Sequence, residues 1–276
     1  MAWLVAIFAS PSFATPRHVV SAFLCTDEYV FRLLPRDRIA ALSFLAADRH
    51  PVVSTIADEV QGIALVHESA EEILSHHPDA VMLYAGTEPR LHAQLREAGI
   101  PIIDVPWANS LADIRAITTT LGRTLGEDAR AQALVREMDR ELSAAHGPRP
   151  MVRTVIYEPN GYVTSDAVTD AILKSAGLAD VANEIGPTRS GTIPVEAMVA
   201  SPPELLLLNA SDERHPSLAN LVLHHPALAN LAPRIMVSRV LLTPLLCPGP
   251  WSVGIAPHLA ELGWKARALA RPQTRP

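Results

Sequence analysis

Two glutamates begin the same short sequence pattern at two places in the chain. Glu71 starts the stretch EEILSHHPDAVML, and Glu196 starts the stretch EAMVASPPELLLL. In both, a helix-forming segment follows the glutamate, a proline and an acid come next, and an apolar run of strand character ends the pattern. Carboxylates on two rigid elements could bind a symmetric pair of basic pockets and fix their register. The repetition predicts two similar lobes, each with an exposed acid at a matching place.

Aromatic side chains follow several of the predicted strands. Residues that come directly after parallel strands face the crevice in which α/β proteins bind ligands. Aromatic residues make up only 5% of the chain, so their presence there predicts flat walls for a large, partly apolar ligand. The alternative is that the rings cap the ends of the sheets. The candidate ligand contacts are Tyr84, Trp107, Tyr157, Tyr162 and Trp251.

One arginine is a candidate for binding an anionic group. Arg189 lies in the polar stretch GPTRSGT, which leads to Glu196. A guanidinium group binds carboxylates through two parallel hydrogen bonds, so Arg189 could face the cleft and hold an anionic part of the ligand. The alternative is a solvated loop residue.

The chain contains two cysteines, Cys25 and Cys247, both predicted at strand-to-helix turns that face the cleft. In an oxidising compartment an even number of cysteines favours a disulfide. Such a bridge would join the two lobes. For so long a loop, the chain-entropy model predicts that the disulfide stabilises the folded state by roughly 5 kcal/mol. Two buried thiols, or two thiols that line the pocket, are the alternatives.

Histidines are numerous, with eleven in the chain, but their spacing does not predict a metal site. The adjacent pairs His76-His77 and His224-His225 are poor chelates, because neighbouring side chains on a helix point about 100° apart. His50 and His67 lie in predicted loops and stay open as ligands. We therefore predict no metal site.

Composition and motifs disfavour two other function classes. The net charge is −6 and no basic tract is present, which argues against a nucleic-acid partner. The sequence contains no glycine-rich phosphate loop, no Gly-x-Ser-x-Gly elbow, no His-Glu-x-x-His and no Cys-x-x-Cys. We predict a binding protein without a cofactor rather than an enzyme. An exported enzyme with scattered catalytic residues is the alternative.

Alternating strand and helix patterns must position these residues. Over residues 15–109 the alternation predicts a mostly parallel sheet with helices on its faces, and residues 148–276 repeat it. The fold class is α/β, with two doubly wound lobes and a ligand cleft between them. Between the lobes, residues 110–147 contain no proline before a GPRP stop, and apolar residues recur there every three or four positions. This predicts one long linking helix of roughly 50 Å, in which Gly122 and Gly126 could produce a bend.

The first fourteen residues, MAWLVAIFASPSFA, resemble a secretory signal. They are apolar, too short to span a bilayer, and end in the small-x-small sequence Ser12-Phe13-Ala14. We predict a cleaved signal peptide over residues 1–14 and export of the remainder to the periplasm. A buried first strand is the alternative.

Taken together, these fragments resemble the class III periplasmic substrate-binding proteins of ABC importers, which bind cobalamin, iron-siderophore complexes or haem. The likeness covers essentially the whole mature chain. Its residues are Cys25-Thr26-Asp27, Glu71 with Pro78-Asp79, residues 110–146, Tyr157 through Gly161-Tyr162, Ala176-Gly177-Leu178 with Asn183, Glu196 with Pro203-Glu204, and His225-Pro226-Ala227-Leu228.

The resemblance implies partners and a ligand class. In such proteins one surface glutamate on each lobe meets arginines of the dimeric inner-membrane permease, and the matching positions here are Glu71 and Glu196. A bulky small molecule would bind between the lobes of a monomer. Cobalamin-like or siderophore ligands rank above haem, and a bare metal ion ranks last. Presentation of the ligand to a membrane receptor for sensing is an alternative to transport.

Overall fold

The computed structural model describes residues 15–50, 53–186, 190–209 and 217–270. The predicted signal peptide and Arg189 lie outside this part of the chain. Within it, strands and helices alternate in two α/β lobes, as the sequence predicts. No helix of the described residues is long and apolar enough to cross a membrane.

The first lobe has a parallel sheet of five strands in the order β3-β2-β1-β4-β5. The strands are β1 (Val19–Ser21), β2 (Ile39–Ser43), β3 (Leu65–Val66), β4 (Ala80–Tyr84) and β5 (Ile102–Val105). The helices are α1 (Leu24–Leu33), α2 (Ala70–Ser75) and α3 (Pro89–Glu97), with 3₁₀ turns at Arg36–Arg38 and Phe44–Ala47. Consecutive residues of a strand lie in different apolar clusters, such as Val19 and Val20, so both faces of the sheet are covered.

The second lobe follows two helices, α4 (Leu111–Leu125) and α5 (Asp128–Ala144). Its strands are β6 (Val152–Tyr157), β7 (Tyr162–Val163), β8 (Leu178–Asp180), β9 (Gly191–Thr192), β10 (Leu205–Asn209) and β11 (Met236–Val240). Its helices are α6 (Ala167–Ser175), α7 (Ala182–Ile185), α8 (Val195–Ala200), α9 (Pro226–Ala229), α10 (Thr243–Leu246) and α11 (Ala256–Leu269). Three 3₁₀ segments, Pro159–Gly161, Leu218–His224 and Pro250–Ile255, complete it.

The two lobes share one topology. The second sheet is parallel with the order β11-β10-β6-β8, so in each lobe the first strand is central and the chain then crosses to its other side. Strands β7 and β9 form a separate antiparallel pair. Ligands of such sheets bind outside the carboxyl ends of the strands, at the point where the strand order reverses.

The acid that follows the proline in each repeat has the same structural role. In the first lobe the Asp79 carboxylate accepts hydrogen bonds from the backbone N–H groups of Arg17 (2.8 Å) and His18 (3.0 Å), next to β1. In the second lobe the Glu204 carboxylate accepts one from the N–H of Arg153 (2.9 Å), in β6. Each acid therefore fixes the start of the central strand beside its own.

The linking segment differs from the single helix expected over residues 110–147. Gly126 has a left-handed φ of 70° and ends α4; its N–H donates to the Arg123 carbonyl (3.2 Å), and the Glu127 N–H donates to the Gly122 carbonyl (2.7 Å). This is a Schellman C-cap, which reverses the chain. Helix α5 returns beside α4 so closely that a Cβ on Gly122 would lie 2.3 Å from the Ala131 Cβ.

Helix α5 connects the lobes. Near its start, Ala131 packs with Leu125 in the core of the first lobe, and Met138, farther along, packs with Ile114 in the core of the second. At 1.5 Å per residue this helix is about 25 Å long, half the length expected. The lobes are therefore joined by a helical hairpin, of which α5 makes the crossing.

Candidate ligand cleft

A cavity of about 460 Å³ opens at the carboxyl ends of β5, β6, β10 and β11, where the two lobes meet. One wall comes from the residues after β5, and the other from the second lobe. The lining residues are Trp107, Ala108, Asn109, Ile156, Glu158, Thr164, Asp166, Thr169, Asn209, Leu242, Thr243, Leu245, Leu246 and Pro248. The mixture of apolar side chains with a few polar groups is typical of a small-molecule site.

Trp107 is the aromatic candidate from the sequence that lines this cavity. Its indole N–H donates to the carbonyl of Ala85 (3.0 Å), and its ring stands edge-on to that of Tyr84, with centroids 4.2 Å apart. The side chain is nevertheless 54% exposed. A fixed ring with an open face is suited to stacking against a flat ligand.

Two of the predicted aromatic contacts are buried and do not line the cavity. Tyr84, 1% exposed, stacks on Phe23 at a centroid distance of 5.4 Å, and burial raises its pKa to about 12. Tyr157 is fully buried and donates its hydroxyl to the Ile193 carbonyl (2.7 Å). Burial, with the nearby charge of Glu196, raises its pKa to about 12. Both rings therefore have the structural role given above as the alternative, and Tyr84 also packs against the ring of Trp107.

The other two described aromatic candidates lie away from the cavity lining. Tyr162 in β7 is 43% exposed. Trp251 packs edge-on to Tyr29 in the first lobe, with centroids 4.9 Å apart, and the Arg32 guanidinium lies 5.0 Å from its ring centroid. Trp251 therefore belongs to the contact between the lobes.

Glu158 is the charged residue of the cleft whose carboxylate is least engaged. It directly follows β6; its backbone N–H donates to the Tyr162 carbonyl (2.8 Å), and Oε1 accepts from the Thr164 hydroxyl (3.2 Å). Burial raises its pKa. Asp166, in contrast, caps α6: its carboxylate accepts from the N–H groups of Val168 and Thr169 at 2.9 Å each.

The two cysteines are joined in a disulfide, with their Cα atoms 4.9 Å apart. Cys25 is in α1, and Cys247 follows α10, so the bond joins a first-lobe helix to the chain of the second lobe. The Trp251 indole donates to the Cys247 carbonyl (3.0 Å). The segment from Cys247 to Trp251, assigned from the sequence to the second lobe, is therefore packed into the core of the first.

Glu71 and Glu196 occupy equivalent positions at the starts of α2 and α8, and both are exposed. The neighbouring Glu72 is engaged, because its carboxylate accepts from the backbone N–H of His67 (3.1 Å) and lies 3.2 Å from that ring's Nδ1. Glu71 has no ion-pair or hydrogen-bond partner for its side chain among the described residues. The local register therefore matches the repeat: among the described residues, neither the Glu71 nor the Glu196 carboxylate has a hydrogen-bond or ion-pair partner.

The family model described as periplasmic binding protein matches residues 53–233. The chain belongs to the periplasmic binding protein family. The class III relationship predicted from the sequence is thereby confirmed, together with the two-lobed α/β fold. No curated protein matches this binding protein significantly.

Solved structures of proteins named for three types of ligand are similar to this periplasmic binding protein. The periplasmic heme-binding protein RhuT from Roseiflexus sp. RS-1 is 20% identical, with a TM-score of 0.71 over 91% of this chain and 98% of that one. The vitamin B12-binding protein BtuF of Vibrio cholerae is 16% identical, with a TM-score of 0.64 over 92% of this chain and 98% of that one. An Fe3+-hydroxamate transport system protein from Saccharomonospora viridis DSM 43017 is 19% identical, with a TM-score of 0.64 over 90% of this chain and 93% of that one. At these identities the likeness shows the fold alone.

Because the candidate ligand contacts were chosen mainly among aromatic residues that follow strands, polar residues of the cleft in this binding protein were not included. Glu158 and Asn209 stand at the carboxyl ends of β6 and β10, the same kind of position that selected Trp107. A polar residue directly after a predicted strand is the sequence signal that would have identified them. No group of three or more His, Cys, Asp or Glu in the described part of the chain is placed to hold a metal ion.

Proposed function

We propose that the protein is the solute-binding component of an ABC importer in the periplasm. It captures a cobalamin-type or iron-siderophore-type ligand between its lobes and delivers it to the membrane permease. The observation that carries this proposal is the cavity of about 460 Å³ at the carboxyl ends of the strands, with the exposed indole of Trp107 on its wall. Family membership supports the binding role over an enzymatic one.

Delivery would use the paired glutamates. Glu71 and Glu196 are exposed at the same position of equivalent helices, one on each lobe. Two separated carboxylates can bind two basic pockets of a dimeric permease through charge-assisted hydrogen bonds, and together they fix one docking orientation. We propose that the protein docks as a monomer.

Haem is the second candidate ligand, because the similar structures include the heme-binding protein RhuT. It ranks below corrinoids and hydroxamate complexes because the described cavity lining contains Glu158 and Asp166 and no lysine, arginine or histidine. Haem has two carboxylates, and such a lining offers no basic side chain to pair with them. Cobalamin is rich in amides, and hydroxamate complexes can be neutral.

The ligand class is tested by titrating the purified protein with cyanocobalamin, ferrichrome and haemin while tryptophan fluorescence is recorded. Saturable, stoichiometric quenching by one of them, corrected for inner-filter absorption, supports the proposal. The quenching should shrink in Trp107→Phe and persist in Trp251→Phe, because Trp107 lines the cavity and Trp251 does not. Absence of saturation with all three ligands would refute the ligand class.

Docking is tested by uptake of the identified ligand in cells that contain the permease. We expect Glu71→Ala with Glu196→Ala to reduce uptake by about tenfold or more, since each lost charge-assisted contact is worth roughly 1.5–3 kcal/mol. The dissociation constant of the ligand should not change, because both residues lie outside the cavity. Glu97→Ala, an exposed acid in α3, is the control and should leave uptake intact. Normal uptake by the double variant would contradict docking through these residues, and uptake independent of the protein would favour a sensory role.

A further inference from the structure

The second-lobe wall of the cleft has an unbalanced charge. Its polar side chains are carboxylates, hydroxyls and an amide, and none of the described residues that line the cavity is basic. Family membership does not require this, because the similar structures include proteins named for heme, vitamin B12 and Fe3+-hydroxamate. The charge of the wall is therefore a property of this chain that can separate those ligand types.

Glu158 is placed to act on a ligand directly. Proline follows it, and the turn Pro159–Gly161 returns the chain to β7, so the backbone is held at the cavity. The Thr164 hydroxyl donates to Oε1, and no side chain in the described ranges pairs with Oε2. A half-buried carboxylate with a single neutral donor is poorly compensated, and it would be stabilised by a donor that the ligand brings.

Asp166 increases the negative potential without competing for the ligand. Both of its oxygens are used at the start of α6: Oδ1 accepts the N–H groups of Val168 and Thr169, and Oδ2 accepts the Thr169 hydroxyl (2.6 Å). It contributes charge to the wall, whereas Glu158 contributes charge and a free acceptor oxygen. The two carboxylates would repel a ligand carboxylate that enters between them.

We propose that Glu158 selects the ligand by charge, so that the cleft accepts metal complexes whose periphery carries amide N–H or ammonium donors and rejects those whose periphery carries carboxylates. This inference rests on the proposed function, since it takes the cavity as the ligand cleft. Corrinoid amides and cationic or neutral hydroxamate complexes meet the requirement. The free propionates of haem do not.

Matched pairs of ligands test this selection, because each pair keeps the metal centre and changes only the peripheral charge. The pairs are cyanocobalamin with its monocarboxylic acid derivative, ferrioxamine B with its N-acetylated derivative, and haemin with its dimethyl ester. In wild type we expect the member with less negative charge to bind more tightly, by about tenfold to a hundredfold for the pair that fits the cleft. Isothermal titration calorimetry measures both dissociation constants.

The variant Glu158→Gln should reduce that ratio to within about twofold, because it keeps the shape of the side chain and removes the charge. Glu184→Gln is the matched control: Glu184 pairs with Arg153 outside the cavity, so the ratio should stay at the wild-type value. If Glu158→Gln does not fold, judged by its thermal unfolding, equal affinities for the two members of a pair in wild type would still overturn charge selection.

The outcomes separate the two proposals. If no member of any pair binds, both the proposed function and the charge selection are overturned. If a pair binds with equal affinities, or with the carboxylate form preferred, charge selection is overturned and the binding function stands. Arg189→Gln shows whether a carboxylate preference comes from that arginine, since the preference would then disappear with the substitution.

Discussion

At the residue scale, the chain contains a buried carboxylate that is outside the cleft. Asp27 is fully buried in α1 and accepts hydrogen bonds from the backbone N–H (3.0 Å) and the hydroxyl (2.5 Å) of Ser43 in β2. Burial raises its pKa well above the ordinary value of 3.8, although the hydrogen bonds with serines act in the opposite direction. Desolvation of the charged form therefore outweighs the donors.

The consequence is a stability that depends on pH in a defined direction. A raised pKa means that the folded state binds more protons than the unfolded state between the ordinary pKa of 3.8 and the raised one. Relative to Asp27→Asn, the wild-type free energy of unfolding should therefore fall as pH rises through this window, by up to about 1.4 kcal/mol per pH unit, and then level off.

Denaturant unfolding of both proteins between pH 4 and pH 9 measures this difference. Asparagine can keep both contacts with Ser43, so the variant should fold. Asp37→Asn, at an exposed acid, is the control and should follow wild type. Parallel curves for wild type and Asp27→Asn would show that Asp27 is not protonated preferentially in the folded state.

At the element scale, the buried parallel strands were the easiest to predict. The apolar runs Ile39–Ser43, Ala80–Tyr84 and Val152–Tyr157 each predict a strand from the sequence. Strands β2, β4 and β6 have these bounds, because continuous apolar runs between turn residues leave little choice of register. The hairpin of α4 and α5 was missed because the apolar period of three or four continues across Gly126. Periodicity reports which residues face a core, but it does not report whether they face the same core. The left-handed φ of Gly126, the Schellman hydrogen bonds and the contact of Gly122 with Ala131 distinguish the hairpin from one helix.

Two glycine substitutions test the hairpin, because a single helix and a hairpin predict changes of opposite sign in the free energy of unfolding. In a single exposed helix, Gly→Ala would stabilise by up to about 1 kcal/mol. In the hairpin, Gly122→Ala should destabilise by about 1–3 kcal/mol through overpacking against Ala131. Gly126→Ala should cost about 1–2 kcal/mol, because alanine resists the left-handed conformation.

Urea unfolding monitored by circular dichroism gives these free energies. Gly254→Ala is the control, because a Cβ there has no neighbouring atom within 4 Å, and it should change stability little. Stabilisation by both Gly122→Ala and Gly126→Ala would contradict the hairpin.

At the scale of the whole molecule, the lobes are connected in two places. Helix α5 is one connection, and the disulfide with the packed segment from Cys247 to Trp251 is the other. The sequence predicted the lobes but could not decide whether the two cysteines are bonded, nor which strand ends border the cavity. Both depend on how the lobes approach each other, which local patterns do not encode. Two connections instead of one restrict the hinge motion available for ligand entry.

Removal of the disulfide should therefore affect both stability and shape. For residues separated by 222 positions, the chain-entropy model predicts a loss of about 5 kcal/mol in Cys25→Ala with Cys247→Ala. Small-angle X-ray scattering should show a larger radius of gyration for the unliganded variant than for wild type. Reductant should produce both changes in wild type and neither in the variant. An unchanged stability and radius would show that helix α5 and the packing of the Trp251 segment hold the lobes together without the disulfide.

The same covalent bond simplifies how the protein matures. With only Cys25 and Cys247 in the sequence, one intramolecular pairing exists, so oxidation within a single molecule cannot produce an incorrect isomer. The chain needs an oxidant but no disulfide isomerase, and the competing product is a cross-linked pair of chains. Because 222 positions separate Cys25 from Cys247, the bridge can form only after synthesis has passed Cys247. Material produced in a reducing cytosol would lack the bridge, whereas secretion at low chain density would favour the correct monomer.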